Sequence, residues 1–292
     1  MLTLKQALEE SRDLEQVSDS WRLDAELLLA DAIESTREHL FTWPDQELSE
    51  TQRSTFRSHH QRRQQGEPVA YILGRQAFWD FELQVNEHML IPRPETELLV
   101  ENAIELLSAD DGIQNSVPRK IVDLGTGSGA IALALAKAGV EFGWQVLAVD
   151  KSADALVVAK KNAENLQLTN IEFSQASWCD GLEKNSCDMI IANPPYLAPD
   201  DVYLQQGDIR FEPQSALVAD ECGLADIRTI VLQAKDILKN ESWLLLEHSY
   251  AQGEAVAEIL ESVGFVNIRC KVDLASLDRV TLAQYPNVLS ET

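Results

Sequence analysis

The chain has 292 residues, enough for one domain of ordinary size and a smaller second one. Its 48 Asp and Glu against 24 Lys and Arg leave a net charge of −24, which repels polyanions at long range and argues against direct nucleic-acid binding through phosphates. No run of about 18 apolar residues occurs and Met1 to Ser20 holds no apolar signal segment, so a soluble protein with no export signal and no membrane partner is expected.

The first third of the chain reads as helical. Thr3 to Gln6 and Ser49 to Gln52 both have capping-box spacing, while Leu4, Ala7 and Leu8 and then Leu23, Leu27 and Ala30 recur at helical intervals. Three to five short helices are predicted before Gly66. The stretch Thr51 to Gly66 contains no acid, and Arg53, Arg57, Arg62 and Arg63 stand there beside His59 and His60. Two readings stay open for it, a solvated helix face or a docking patch for an acidic partner.

Ala77 to Val85 alternates imperfectly at period two, which predicts a β-ribbon or extended linker, and Pro92 and Pro94 stop it from continuing. From about Glu95 apolar strands alternate with helices, the signature of an open α/β sheet. Candidate strands are Lys120–Asp123, Gln145–Asp150, Ile171–Gln175, Asp188–Ala192, Ser242–Glu247, Phe265–Arg269 and Val280–Gln284. The expected architecture is therefore a doubly wound, seven-stranded, mostly parallel sheet of Rossmann-like type behind a small helical N-terminal domain and a β-ribbon linker. Its expected limits are 1–75 for the helical domain, 76–94 for the linker and 95–292 for the sheet domain. The cysteines Cys179, Cys187, Cys222 and Cys270 lack CxxC spacing, so no metal site is expected, and unpaired thiols favour the cytoplasm.

Three motifs carry chemistry. The strand Ile121–Leu124 runs into Gly125-Thr126-Gly127-Ser128-Gly129 and then a helix-like segment, Ala130 to Lys137. Residues without Cβ let a ligand approach the backbone, and N–H groups at a helix N-terminus attract an anionic group. Gly125, Gly127 and Ala130 also satisfy the spacing of nicotinamide enzymes, which keeps a dehydrogenase in view. Asp150 ends the next strand, placed to grip a ribose, where a carboxylate accepts both hydroxyls of the diol; a helix N-cap at the strand end is the lesser reading. Trp178 follows the third strand and could lie against an adenine ring or in the core.

Asn193-Pro194-Pro195-Tyr196 directly follows the apolar strand Asp188–Ala192, at a sheet's carboxyl edge. A strand-ending turn accounts for the prolines but leaves Asn193 and Tyr196 without a reason. Chemistry supplies one, because a nitrogen conjugated to a carbonyl or an aromatic ring is a poor nucleophile. Asn193 could accept one N–H through its side-chain oxygen while the Pro194 carbonyl accepts the other, which points the lone pair at an incoming methyl group. Tyr196 would cover the planar group by stacking. Catalysis is then alignment and polarisation, with no base needed before attack.

Glycine loop, Asp150 and Asn-Pro-Pro-Tyr together resemble a class I methyltransferase of the amino-methylating branch. Pro68–Gly74, Ile91–Glu97, Gly207–Pro213 and Leu245–His248 narrow the likeness, over nearly the whole chain, to the bacterial peptide chain release factor glutamine N5-methyltransferases. The resemblance implies that Gly125, Thr126, Gly127, Ser128, Gly129, Asp150, Trp178 and Asn193 contact S-adenosylmethionine, which would leave as S-adenosylhomocysteine. It implies that Asn193, Pro194, Pro195 and Tyr196 hold the substrate, with Asn193, Pro194 and Tyr196 catalytic. The substrate it implies is the glutamine of a Gly-Gly-Gln motif in class I release factors, docked with help from the N-terminal domain. The alternative is a nucleic-acid amino methyltransferase acting on N6 of adenine or N2 of guanine, since a flipped base presents a similar nitrogen. A nicotinamide enzyme would need an acid–base residue at the sheet edge, for which only His248 offers itself, and a non-catalytic cofactor-binding scaffold would not need Asn193.

Overall fold

The computed structural model describes residues 2–110 and 118–287, so the expected domain ends at 1 and 292 lie outside the described residues. The chain forms two compact units. One comprises Met1–Arg75, Val85–Glu87 and Val202–Glu212, and the other Gln76–Gln84, His88–Asp201 and Pro213–Thr292.

In the first unit the helices are α1 (Leu4–Glu10), α2 (Trp21–Ala32), α3 (Arg37–Thr42), α4 (Glu50–Gln64) and α5 (Val69–Leu73), with a 3-10 turn at Ser11–Gln16. Both expected capping boxes form, Thr3 with Gln6 and Ser49 with Gln52, which satisfies N–H groups that a helix start otherwise leaves open. Leu4, Ala7, Leu28, Leu29, Leu40, Phe56 and Ile72 build the core. The acid-free stretch on α4 is largely neutralised from within. Arg53 pairs with Glu50, Arg62 with Glu67, His59 with Asp31 and His60 with Asp13, and Arg63 is buried between Asp24 and Asp208.

The second unit holds a two-stranded sheet of β1 (Arg75–Phe78, whose first residue falls in the first unit) and β2 (Phe81–Gln84). The single run Ala77 to Val85 is thus broken into two strands, because Trp79 takes a left-handed φ of 57° at a tight turn that alternation alone does not reveal. There follow α6 (Glu97–Asp110), β3 (Lys120–Leu124), α7 (Ala130–Ala138), β4 (Gln145–Asp150), α8 (Ala153–Asn165), β5 (Ile171–Gln175) and β6 (Cys187–Ala192). The short segment α9 (Asp220–Gly223), left-handed at Glu221, Cys222 and Gly223, then leads to α10 (Ala225–Ile237), β7 (Leu238–Glu247), α11 (Gly253–Val263), β8 (Val266–Val272) and β9 (Asp278–Gln284).

The seven-stranded sheet runs in the order β5-β4-β3-β6-β7-β9-β8. The first five strands are parallel and β9 is antiparallel to both its neighbours. Consecutive strands step outward from β3 to β5, and the chain then returns to place β6 on the other side of β3. Between β3 and β6 the winding direction reverses, and in open α/β sheets ligands bind outside the carboxyl ends of the strands at such a point. Helix α7 is buried from Ala130 through Ala136, which is why its sequence is apolar all round. Among the described residues no helix is long and apolar enough to cross a membrane.

Candidate active site

Strand register brings the motifs together. Leu124 stands opposite Ala192 on one side and Val149 on the other, so the glycine loop, Asn193 and Asp150 all emerge at the same level of neighbouring strands. Asp150 in turn faces Gln175, three residues before Trp178. These residues line one cleft of about 930 Å³ including its opening to solvent, in which Gly125 to Ser128, Asp150, Trp178, Asn193 and Pro195 face apolar groups such as Met89, Ile131 and Ala155.

The loop needs its glycines. Gly125, Gly127 and Gly129 have φ of 74°, 55° and 89°, a left-handed conformation that side chains with a Cβ resist. At Gly129 a Cβ would also come within 2.9 Å of Leu133 and 3.3 Å of Ala159, so this position lets α7 and α8 close on each other. The loop is held by two acids. Asp150 accepts the Gly127 N–H through Oδ2 and the Ser152 N–H through Oδ1, each at 2.8 Å. The N-cap of α8 is Ser152, whose hydroxyl accepts the Ala155 N–H, so Asp150 is not spent on capping. A carboxylate has about four acceptor positions, which leaves two of Asp150's for a ligand.

Asp123, on the strand before the loop, accepts from the Thr126 hydroxyl at 2.6 Å and the Ala132 N–H at 3.2 Å through the same oxygen. Its other oxygen is buried with no partner, and burial pushes its pKa up to about 7 against the pull of those two donors. Trp178 has a left-handed φ of 50°, and its Nε1–H donates to Asp226 on α10 at 3.2 Å. That anchor sets the indole 3.4 Å from where a Gly125 Cβ would stand.

Asn193 donates through Nδ2 to the Thr96 hydroxyl at 3.1 Å, and its Oδ1 is buried without a partner. An orphaned acceptor in a cleft wall costs stability unless a bound group completes it. Pro194 and Tyr196 are not among the residues lining this cleft. The Tyr196 hydroxyl donates to Glu247 at 3.4 Å, and burial raises its pKa. Burial likewise pushes Glu247 up to about 7, opposed by the Thr96 hydroxyl, Arg279 and Tyr196 and assisted by Glu95. His248, which a nicotinamide enzyme would want at the sheet edge, is fully buried, with Nε2 on the Thr281 hydroxyl and Nδ1 on the Ser249 carbonyl.

Sequence reasoning did not find Thr96, Asp123, Asp226 or Glu247. Only Asp123 had a local signal, an acid inside an apolar strand that runs into glycines. The others depend on which loops and strands become neighbours.

The features fit an adenosine-containing cofactor, with an N–H-rich glycine loop, a carboxylate with spare acceptors and an apolar wall. Residues 6–74 match the family described as PrmC N-terminal domain, and residues 116–273 match a methyltransferase domain. A release factor glutamine methyltransferase of Pseudomonas aeruginosa is 47% identical over 92% of this chain and 94% of its own length. One from Shewanella oneidensis is 43% identical over 93% and 92%. Among solved structures the catalytic domain of hMettl16, in complex with an RNA hairpin, overlays with TM-score 0.52 at 18% identity, covering 70% of this chain and 75% of that one, a likeness of fold alone. With near-complete coverage at this identity, the chain belongs to the release factor glutamine methyltransferase family.

Proposed function

We propose that the protein transfers a methyl group from S-adenosylmethionine to the side-chain amide nitrogen of the glutamine in the Gly-Gly-Gln motif of class I release factors. The observation that carries this reading is the register of Leu124 with Ala192, which sets the glycine loop beside an Asn193 whose carbonyl oxygen is buried and unpaired. S-adenosylmethionine supplies an electrophilic methyl group, and S-adenosylhomocysteine is the other product.

The chain's own residues supply binding and alignment. The N–H groups of Gly125 to Gly129 would hold the cofactor's carboxylate end, Asp150 its ribose and Trp178 its adenine. Asn193 Oδ1 accepts one amide proton of the substrate glutamine and the Pro194 carbonyl the other, so the nitrogen lone pair turns to the methyl donor. As the nitrogen becomes positive its protons become stronger donors, and these acceptors therefore act mainly in the transition state. Tyr196 would cover the amide once substrate enters, and Pro195 shapes the wall. The helical region 1–75 would dock the release factor, with 76–94 as linker and 95–292 as the catalytic domain. The charge of −24 suits a protein acceptor better than a polyanionic one, and the thiols of Cys222 and Cys270, free and exposed, fit the cytoplasm.

Tritiated S-adenosylmethionine with purified release factor, followed by peptide mapping, tests this. Label on the Gly-Gly-Gln peptide is expected, and Asn193→Ala should lower kcat by about 10²–10³, or roughly 3–4 kcal/mol. Label confined to nucleic acid, or a folded Asn193→Ala protein within threefold of wild-type kcat, would overturn it.

A further inference from the structure

An amide side chain works as an acceptor only if its oxygen, and not its NH₂ group, faces the substrate. The two ends of Asn193 have nearly the same shape, so packing alone does not choose between them. Something must hold the NH₂ end.

Thr96 meets that need. It sits 3% exposed in the 3-10 turn Pro94–Thr96 that opens α6, far in sequence from the Asn193 turn, and its Oγ1 takes the Asn193 Nδ2–H at 3.1 Å. A hydroxyl oxygen has two lone pairs, so Thr96 can hold the NH₂ end, and Oδ1 is the Asn193 side-chain atom left without a partner.

We infer that Thr96 is a positioning residue for methyl transfer, fixing Asn193 with its oxygen toward the acceptor nitrogen. The inference rests on the reading that Asn193 accepts a substrate amide proton. It extends the site to a buried side chain from a different turn.

Thr96→Val keeps the shape and removes the acceptor, whereas Thr96→Ser keeps it. The valine variant should lose about 10- to 100-fold in kcat, the range for leaving a buried polar partner unmatched, with S-adenosylmethionine affinity by calorimetry within twofold of wild type. The serine variant should stay within about threefold, a rescue that packing alone does not predict. Should the valine variant not fold, Thr96→Ala takes its place with the same expectation. Asn193→Ala is measured alongside. A folded Thr96→Val or Thr96→Ala protein within threefold of wild-type kcat, beside an impaired Asn193→Ala, overturns this inference and leaves the proposed function intact. An unimpaired Asn193→Ala overturns both.

Discussion

Gly223 lies so close to Tyr196 that a Cβ on it would stand 2.1 Å from the Tyr196 carbonyl oxygen. The approach is built by three successive left-handed residues, Glu221, Cys222 and Gly223, with φ of 54°, 56° and 86°. Gln252 braces it from the other side by donating to the carbonyls of Tyr196 and Cys222 at 3.1 and 3.2 Å. Backbone here cannot yield as a flexible side chain would, so Gly223→Ala must displace the turn that carries Asn193 and Pro194. We expect kcat to fall at least tenfold, since small misplacements at a reacting centre are costly. Stability should drop by about 1–3 kcal/mol for the strained φ and the contact. Cofactor affinity should change far less, because Gly125 to Gly129 and Asp150 belong to other strand ends. Calorimetry and steady-state kinetics on one preparation separate the two, and equal losses in both would place Gly223 in the cofactor site instead.

Asp150 predicts the opposite pattern. Its contacts with a ribose would form in the ground state as well as the transition state, and its two backbone bonds tie the glycine loop to α8. Asp150→Ala should weaken S-adenosylmethionine by about 10- to 100-fold, the range for hydrogen bonds to a charged group, while kcat at saturation stays within about threefold. Unchanged affinity by calorimetry would remove Asp150 from the cofactor site.

Stability should depend on pH through Asp123 and Glu247, whose burial raises both to about 7 from ordinary values of 3.8 and 4.5. Below about pH 4 the folded and unfolded chains both carry these protons. Between there and about pH 7 only the folded chain keeps them, so the stabilisation is full at low pH and is lost as pH rises through 7. Each group contributes on the order of a few kcal/mol. In Asp123→Asn the amide oxygen can still accept from Thr126 and Ala132, while the slope that belongs to Asp123 disappears. Denaturant midpoints from pH 5 to 8 should fall for the wild type and fall less for the variant. Parallel curves would show that Asp123 does not titrate in this window.

How far the sequence disclosed this site follows from how local each signal is. Glycine loop, Asp150 and Asn193 to Tyr196 each end a strand within a few residues of its apolar run, so their common edge could be inferred before any pairing was known. The register of β3 with β6 then set them side by side. By contrast, Thr96 and Glu247 reach Asn193 and Tyr196 only through tertiary neighbours 97 and 51 residues away, and no spacing rule covers that. The ribbon was half legible, since period-two alternation persists across the turn at Trp79. The Tyr196 hydroxyl bonds to Glu247, a partner that only the fold supplies.

The basic stretch of α4 gives the last test, and here charge counting alone misleads. Arg63 looks like its neighbours in sequence, yet it is 4% exposed and holds Asp24 and Asp208, each at 2.8 Å, together with the carbonyls of Gly66 and Glu67. Asp24 is itself 6% exposed, so deleting Arg63 leaves a carboxylate in the interior without its counter-charge. Breaking such a buried pair from one side costs about 3–5 kcal/mol, because the remaining ion keeps its desolvation penalty. Asp208 belongs to Val202–Glu212, so the same deletion also releases that segment from α4. Arg57 is exposed and has no ion pair among the described residues, and its loss should stay within about 0.5 kcal/mol. We therefore expect Arg63→Ala to unfold at clearly lower urea concentration than Arg57→Ala, with Arg63→Ala, Asp24→Asn together recovering part of the loss. Equal midpoints for the two single variants would mean that the buried pair contributes nothing, and would return Arg63 to the surface patch that its sequence context resembles.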